Sequence, residues 1–490
     1  MYGMITFERF IHCVFQLDSH SQLPSESLPP IRYELPFSEC LREQVPRRLT
    51  SWTSAALVCL SCAVALADDL PRARAEDVGL SSTRLEQMDS FYADRVRKGE
   101  MAGIVILVAR HGKVAHLRAM GYANVANHQS IKEDTLFRLY SMTKPITATA
   151  LMMLYEEGRF QMKDPVSKYI PEFAQLKALR TPDSAIDDTV PVEHPATIED
   201  LLRHTAGFTQ CLGNDPVDQK CTQEHIYGLD VSLAQEMTRL AKIPLRYQPG
   251  SQWIYSLAPD VEARLVEVLS QMPFEEFLKQ RLFKPLAMSD THFWLTKEQY
   301  ERLSAVHWSK DGVLMPWDDA HGHPGDAGHQ AGTSASNAEP WASINKEGAN
   351  HARIRGSYGL ISTAEDYWRF AQMIDNGGEL NGIRLLSPET VRYMTRDHVG
   401  SIDSTVLSQT QPGAGFGLGF GVIQDPVAAG FLNSEGSIWW DGAATTLWWA
   451  DPQKDLVVVA MTQYLDQEGA GLLQQLRPQL RAWIYGALLN

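Results

Sequence analysis

The chain has 490 residues, of which 44% are apolar and 21% charged, and its formal net charge is −15. That balance argues against general nucleic-acid binding and against attraction to anionic membranes, both of which need an excess of Lys and Arg. The length permits two or three domains and a substantial buried core.

The first 67 residues differ from the rest. Arg47 and Arg48 precede an apolar run, 54–67, which ends Ala65-Leu66-Ala67 ahead of Asp68 and Asp69. A basic stretch, a short apolar stretch and a small-x-small site is the order of a secretory signal peptide, and the run is too short to span a bilayer. Signal peptides begin at the N-terminus, so residues 1 to about 44 read as an over-extended start, with translation beginning near Val45. The expectation is an exported mature chain from residue 68, in the periplasm or secreted, with no membrane span.

Next, 76–96 has the apolar spacing of an amphipathic helix, with Leu80, Leu85, Met88, Phe91 and Tyr92 among its apolar positions. Residues 103–108 and 114–117 read as two strands joined at His111-Gly112. Thr135 to Tyr140 is a short extended approach to a helix expected from Ser141 to Glu157, stopped by Gly158. Thr197 with Glu199 and Asp200 opens another helix that Gly207 would end. Cys211 and Cys221 flank a polar loop; they either close it with a disulfide in an oxidising compartment or remain as two thiols. The other four cysteines lie in the segment expected to be removed, so no C-x-x-C zinc site is expected.

Residues 322–356 form a Gly, Ala, Ser and His-rich stretch without periodicity, long enough for a functional loop. His321, His323 and His329, with His307 and His351 on either side, lack the i, i+4 spacing of helical zinc motifs and read as solvated, so no metal or other cofactor is expected. Ser362 to Glu365 reads as a capping box opening a helix through Ile374. The glycines at 413, 415, 417, 419 and 421 alternate as in a strand passing close to something. Strands are expected over 416–423, 437–440, 445–449 and 456–461, then a helix over 470–488. Strands at both ends with helices between predict an α+β fold, one antiparallel sheet built from the N- and C-terminal parts, flanked by helices and carrying an inserted helical region. The boundaries are an α/β part at about 70–140 and 355–490 and a helical part at about 141–354.

The chemistry centres on Ser141-Met142-Thr143-Lys144. A hydroxyl is a poor nucleophile at neutral pH, and an amine one helical turn away on the same face can take its proton. At the start of a helix the serine also sits at the positive end of the macrodipole, where a developing anion is favoured. No G-x-S-x-G elbow is present; Gly356-Ser357-Tyr358-Gly359 comes closest. His204, at the end of its helix, reads as a cap rather than a triad base.

Four segments in order, Ser141–Lys144, Leu201-Leu202-Arg203-His204-Thr205-Ala206-Gly207-Phe208, Tyr255-Ser256-Leu257 and Trp440-Asp441-Gly442-Ala443, resemble the serine β-lactamase and penicillin-binding-protein superfamily. The likeness runs from about Arg74 to Asn490 and is nearest to the class C-like branch with the family VIII carboxylesterases. The resemblance implies a β-lactamase-like fold with Ser141 as acyl-accepting nucleophile, Lys144 and Tyr255 as its base, and the backbone N–H groups of Ser141 and Ala443 as an oxyanion hole. A free phenol titrates near ~10 and a free ammonium near ~10.4, so each needs the other's neighbourhood to act as a base at pH 7.

Two departures bear on substrate. Trp440-Asp441-Gly442 stands where lactamases and transpeptidases carry Lys-Thr-Gly, and Leu257 stands where they commonly carry Asn. Both changes weaken recognition of an anionic β-lactam or D-Ala-D-Ala end. Trp440, Asp441, Gly442, Leu257 and Trp253 are the candidate substrate-binding residues, the aromatics lining an apolar pocket. Asp441 departs even from the Trp-Gly-Gly of family VIII; it would either repel anions or point into solvent. The expected activity is hydrolysis of a small-molecule ester or amide, foremost carboxylic esters of neutral acyl groups. A β-lactamase, a D-aminopeptidase or DD-peptidase, an acyltransferase and an inert scaffold of the same fold are the alternatives.

Overall fold

The computed structural model describes residues 70–228, 231–316, 354–400, 402–465 and 471–489. The signal-peptide reading, His321, His323, His329, His351 and most of the 322–356 stretch lie outside these residues.

The N-terminal helix α1 spans Ser82–Arg97, not 76–96. Gly79 turns left-handed at φ 70 and ends a short 3-10 turn, after which the Ser81 hydroxyl accepts the Arg84 N–H and caps the true helix. Leu80 therefore packs outside the helix, in a bridge to Leu488. Strand β1 (Gly103–Arg110) and strand β2 (Lys113–Asn124) follow. Their hairpin turns on His111 and Gly112 at φ 53 and 68, the twist a two-residue connection requires. Strand β3 is Gln129–Ser130.

Helix α2 (Thr143–Glu156) has Thr143 through Leu154 all buried. A helix buried all round is a central one; it packs on helix α4 (Ala258–Ser270). Between them, α3 is Ile198–Leu202, with Thr197 and Asp200 completing a capping box. It stops well before Gly207, because His204 already adopts φ 58 and its N–H closes on the Leu201 carbonyl. Helix α5 (Ala364–Asp375) is capped by Thr363 rather than Ser362, its hydroxyl accepting the Asp366 N–H.

The C-terminal part supplies β4 (Ala414–Phe416), β5 (Gly421–Ile423), β6 (Ile438–Gly442), β7 (Thr446–Asp451), β8 (Leu456–Met461) and α6 (Leu472–Tyr485). The single strand expected over 416–423 is thus a hairpin. Gly417 and Gly419 make its bend, and a Cβ at Gly419 would lie 2.3 Å from Ala148 Cβ on α2. All eight strands form one antiparallel sheet, ordered β4-β5-β6-β7-β8-β1-β2-β3. β1 joins β8 at its centre, with Val105 opposite Met461 and Arg110 opposite Leu456. Helix α5 packs on β8, β7 and β1, while α1 and α6 pack together. The fold is α+β, as expected, with helices over the sheet and a mainly helical stretch inserted between β3 and β4.

Candidate active site

The approach to Ser141 is built by a two-residue ladder, Phe137 and Arg138 against Ser362 and Ile361, extended when the Leu139 N–H donates to the Leu360 carbonyl. Tyr140 then turns left-handed, φ 48, a conformation costly for a bulky residue and concentrated at functional turns. Ser141 lies in the resulting 3-10 turn, Tyr140–Met142, and α2 begins only at Thr143. The helix start is therefore two residues later than expected, and the serine sits just ahead of it, still at the positive end of the macrodipole.

Lys144 is 5% exposed. Its ammonium donates to Ser141 Oγ at 3.1 Å and to the Ser357 carbonyl at 2.8 Å. That carbonyl is itself held. The Asp260 carboxylate, fully buried on α4, accepts from the Ser357 N–H and hydroxyl, both at 2.8 Å. Gly356 allows the approach, since a Cβ there would meet the Pro259 carbonyl at 2.0 Å. Thr147 adds a hydrogen bond from its hydroxyl to the Gly356 carbonyl, 2.7 Å. Asp260 and Ser357 are missing from the candidates read from sequence; the Gly-Ser-Tyr-Gly stretch lacks the spacing of a nucleophile elbow, and Ser357 serves here through its carbonyl.

Glu262, two residues beyond Asp260, was also missed. It is 1% exposed, and its Oε2 has no hydrogen-bond partner among the described residues. Burial pushes this carboxyl up to about 8, against the opposing pull of the Lys144 charge.

Tyr255 reaches the same place from the other side. Gly250, at φ 75, turns the chain back, and the Ile254 and Leu257 N–H groups donate to the His204 and Thr209 carbonyls, 2.9 and 3.0 Å. The Lys144 ammonium lies 4.7 Å from the centre of the phenol ring. The phenol oxygen is buried with no partner among the described residues, so the ring, and not the hydroxyl, faces the amine. Around it, Trp253 stacks at 6.3 Å and 19°, Trp440 lies at 5.4 Å and His204 at 5.0 Å. The serine, amine and phenol thus converge although the phenol is more than a hundred positions downstream.

The motif on β6 divides between the two faces of the sheet, as strand alternation requires. Trp440 points to Tyr255 and Phe416. Trp439 and Asp441 point the other way, to Arg477 on α6, whose guanidinium lies 4.5 Å from the Trp439 ring and pairs with the Asp441 carboxylate. Asp441 points away from the face that carries Trp440, as one of the two expectations had it, and stays partly exposed but paired with Arg477 and not free in solvent. Leu257, Trp253 and Trp440 are all buried in the apolar core, 1%, 4% and 7% exposed. Gly442 lies against the nucleophile turn, where a Cβ would sit 2.3 Å from the Leu139 carbonyl oxygen. Ala443 follows, itself exposed, in a turn to β7 whose other residues, Ala444 and Thr445, are buried. Cys211 and Cys221 are disulfide-bonded, Cα to Cα 5.5 Å, with Cys221 in the last turn of a helix, Pro216–Gln223, capped by Asp215. Among the described residues no three His, Cys, Asp or Glu side chains converge on a common metal position.

The beta-lactamase family model matches residues 88–479. The chain belongs to the beta-lactamase family. It is a serine hydrolase of that family, acting on small molecules. Esterase EstB of Burkholderia gladioli is 30% identical over 388 residues, 77% of this chain and 89% of EstB. A putative D-alanyl-D-alanine carboxypeptidase of Escherichia coli K12 is 27% identical over 440 residues, 83% of this chain and 88% of that protein. Among solved structures, EstCE1, a hydrolase with promiscuous acyltransferase activity, superposes with a TM-score of 0.69 at 27% identity, covering 82% of this chain and 99% of its own. Among the described residues of this family member, no helix is long and apolar enough to cross a membrane.

Proposed function

We propose that this beta-lactamase-family hydrolase cleaves carboxylic esters of neutral, apolar acyl groups through an acyl-enzyme on Ser141. The observation that carries the reading is the Lys144–Ser141 hydrogen bond beneath Tyr255, opening on an aromatic wall where a substrate-binding lysine would otherwise stand. Ser141 Oγ attacks the ester carbonyl while its proton passes to the Lys144–Tyr255 pair. The oxyanion is held by the Ser141 and Ala443 N–H groups, and the alkoxide leaves with the proton. Water then repeats the sequence and frees the acid.

Trp440 and Trp253 supply apolar surface, and Asp441 is neutralised by Arg477, so nothing on this strand offers a cation to a substrate carboxylate. The name of Esterase EstB agrees with an ester substrate, and EstCE1 is a hydrolase with promiscuous acyltransferase activity. An alcohol in place of water would give acyl transfer. The test compares p-nitrophenyl esters of short and long acids with a chromogenic cephalosporin, alongside Ser141→Ala. Ester turnover lost in the variant supports the reading; cephalosporin turnover of equal efficiency overturns it.

We also propose that the protein is exported, on the order of residues in 45–69 and the Cys211–Cys221 bond. N-terminal sequencing of the natural protein tests this, and a mature chain starting before residue 45 refutes it.

A further inference from the structure

His204 belongs to one of the four segments that carry the family likeness, yet it is neither a helix-capping side chain nor part of the chemistry proposed above. Its backbone closes α3 in the left-handed region and accepts the Ile254 N–H at 2.9 Å, so it anchors the residue preceding Tyr255. Its ring is 2% exposed. Nδ1 lies 2.9 Å from Ser256 Oγ, the residue following Tyr255. That hydroxyl oxygen already accepts the Ala258 N–H, in the first turn of α4, at 3.3 Å. A hydroxyl oxygen carries one proton and two lone pairs, so Ser256 Oγ holds the Ala258 N–H and the imidazole Nδ1 at the same time. The same ring packs 5.0 Å from Tyr255, 6.2 Å from Trp253 and 5.3 Å from Phe416.

One residue thus packs its ring against the phenol and fixes the chain on both sides of it, by its backbone carbonyl before and by its imidazole after. Burial, and next the Lys144 charge, hold the imidazole well below its usual range. A neutral ring keeps its hydrogen bond to Ser256 and adds no second cation beside Lys144.

We propose that His204 is a positioning residue that sets the Tyr255 phenol over Lys144 through the Nδ1–Ser256 hydrogen bond. The proposal rests on the acyl-enzyme reading of Ser141, Lys144 and Tyr255. Misplacing a reacting group by an ångström costs ~10²-fold in rate, and the ring acts before the chemistry, so the loss falls on kcat.

The experiment measures kcat and KM of the full chain on a p-nitrophenyl ester for Ser141→Ala, His204→Leu, His204→Asn, Ser256→Ala and the double change His204→Leu with Ser256→Ala. Expected are a ~10- to 100-fold fall in kcat for His204→Leu and for Ser256→Ala with KM within ~3-fold, and a double variant no worse than the poorer single one. His204→Asn should recover most of the activity, because Asn tolerates positive φ and carries an acceptor at the δ position. Multiplying losses in the double variant, or an unchanged kcat in Ser256→Ala, overturns the proposal; the latter change removes one hydroxyl and decides the matter even if His204→Leu does not fold. Turnover retained by Ser141→Ala overturns the acyl-enzyme reading and this proposal with it, whereas turnover lost there but kept in Ser256→Ala overturns this proposal alone.

Discussion

Replacing Glu262 by glutamine removes one ionisable proton from the wall behind Lys144 while keeping the side chain's shape. In the folded protein the carboxyl titrates at about 8, against an ordinary value of 4.5. Between those values the unfolded chain has released the proton and the folded chain still holds it. The folded state is then the one that binds more protons, so stability falls as pH rises from about 4.5, and the fall ends near 8, where both states are ionised. At ~1.4 kcal/mol per pH unit, the two and a half units up to neutrality amount to about 3 kcal/mol at pH 7. Glutamine has no such slope, and any cost of its own buried amide is the same at every pH. Urea denaturation of both proteins from pH 4.5 to 8.5 should therefore show the variant gaining on the wild type by about 3 kcal/mol as pH climbs to 7, and levelling off above 8. Two parallel curves, or a wild type that gains on the variant with rising pH, would mean that Glu262 is ionised in the fold and paired with Lys144. That result would refute the account of burial as the dominant effect.

Other consequences are open to simpler tests. Gly442→Ala places a methyl where the Leu139 carbonyl stands, so kcat should fall by ~10²-fold or more if the strand retreats from the nucleophile turn; thermal unfolding separates this from global loss. Arg477→Met leaves the Asp441 carboxylate unpaired and should lower stability by ~2–4 kcal/mol, whereas the paired change Arg477→Met with Asp441→Leu should recover most of it in the same denaturation assay. Reducing the Cys211–Cys221 bond, or Cys211→Ser with Cys221→Ser, releases a short loop and should cost ~2–3 kcal/mol, read as a lower midpoint in urea.

The sheet and its paired ends were legible because the strands are short β-branched or aromatic runs, and β8 was read to the residue. Boundaries failed where a local turn outranked periodicity. Gly79 and Ser81 shorten the first helix, and His204 ends α3 early by entering a backbone region that no propensity argument assigns to it. The convergence of Ser141, Lys144 and Tyr255 followed from motif order. The support around them did not, because Asp260 reaches Ser357 across 97 positions and nothing in either local sequence points to the other. Asp441 was ambiguous for a different reason. Alternation divides neighbours between two faces without naming which face is inner, and only the Arg477 contact decides it.

Strand β1 has one flank completed by β8, about three hundred and fifty positions later, and the segment at Gly79 and Ser81 is tied to Ala487 and Leu489. A ribosome that has not yet released β8 withholds the strand that closes the middle of the sheet. The nucleophile turn, made in the first third of the chain, leans on β6 and β7 through Gly442 and Thr446. Hydrolytic competence should therefore arise only after β6, β7 and β8 have been made and joined to β1, which keeps the enzyme silent while the earlier part is being made.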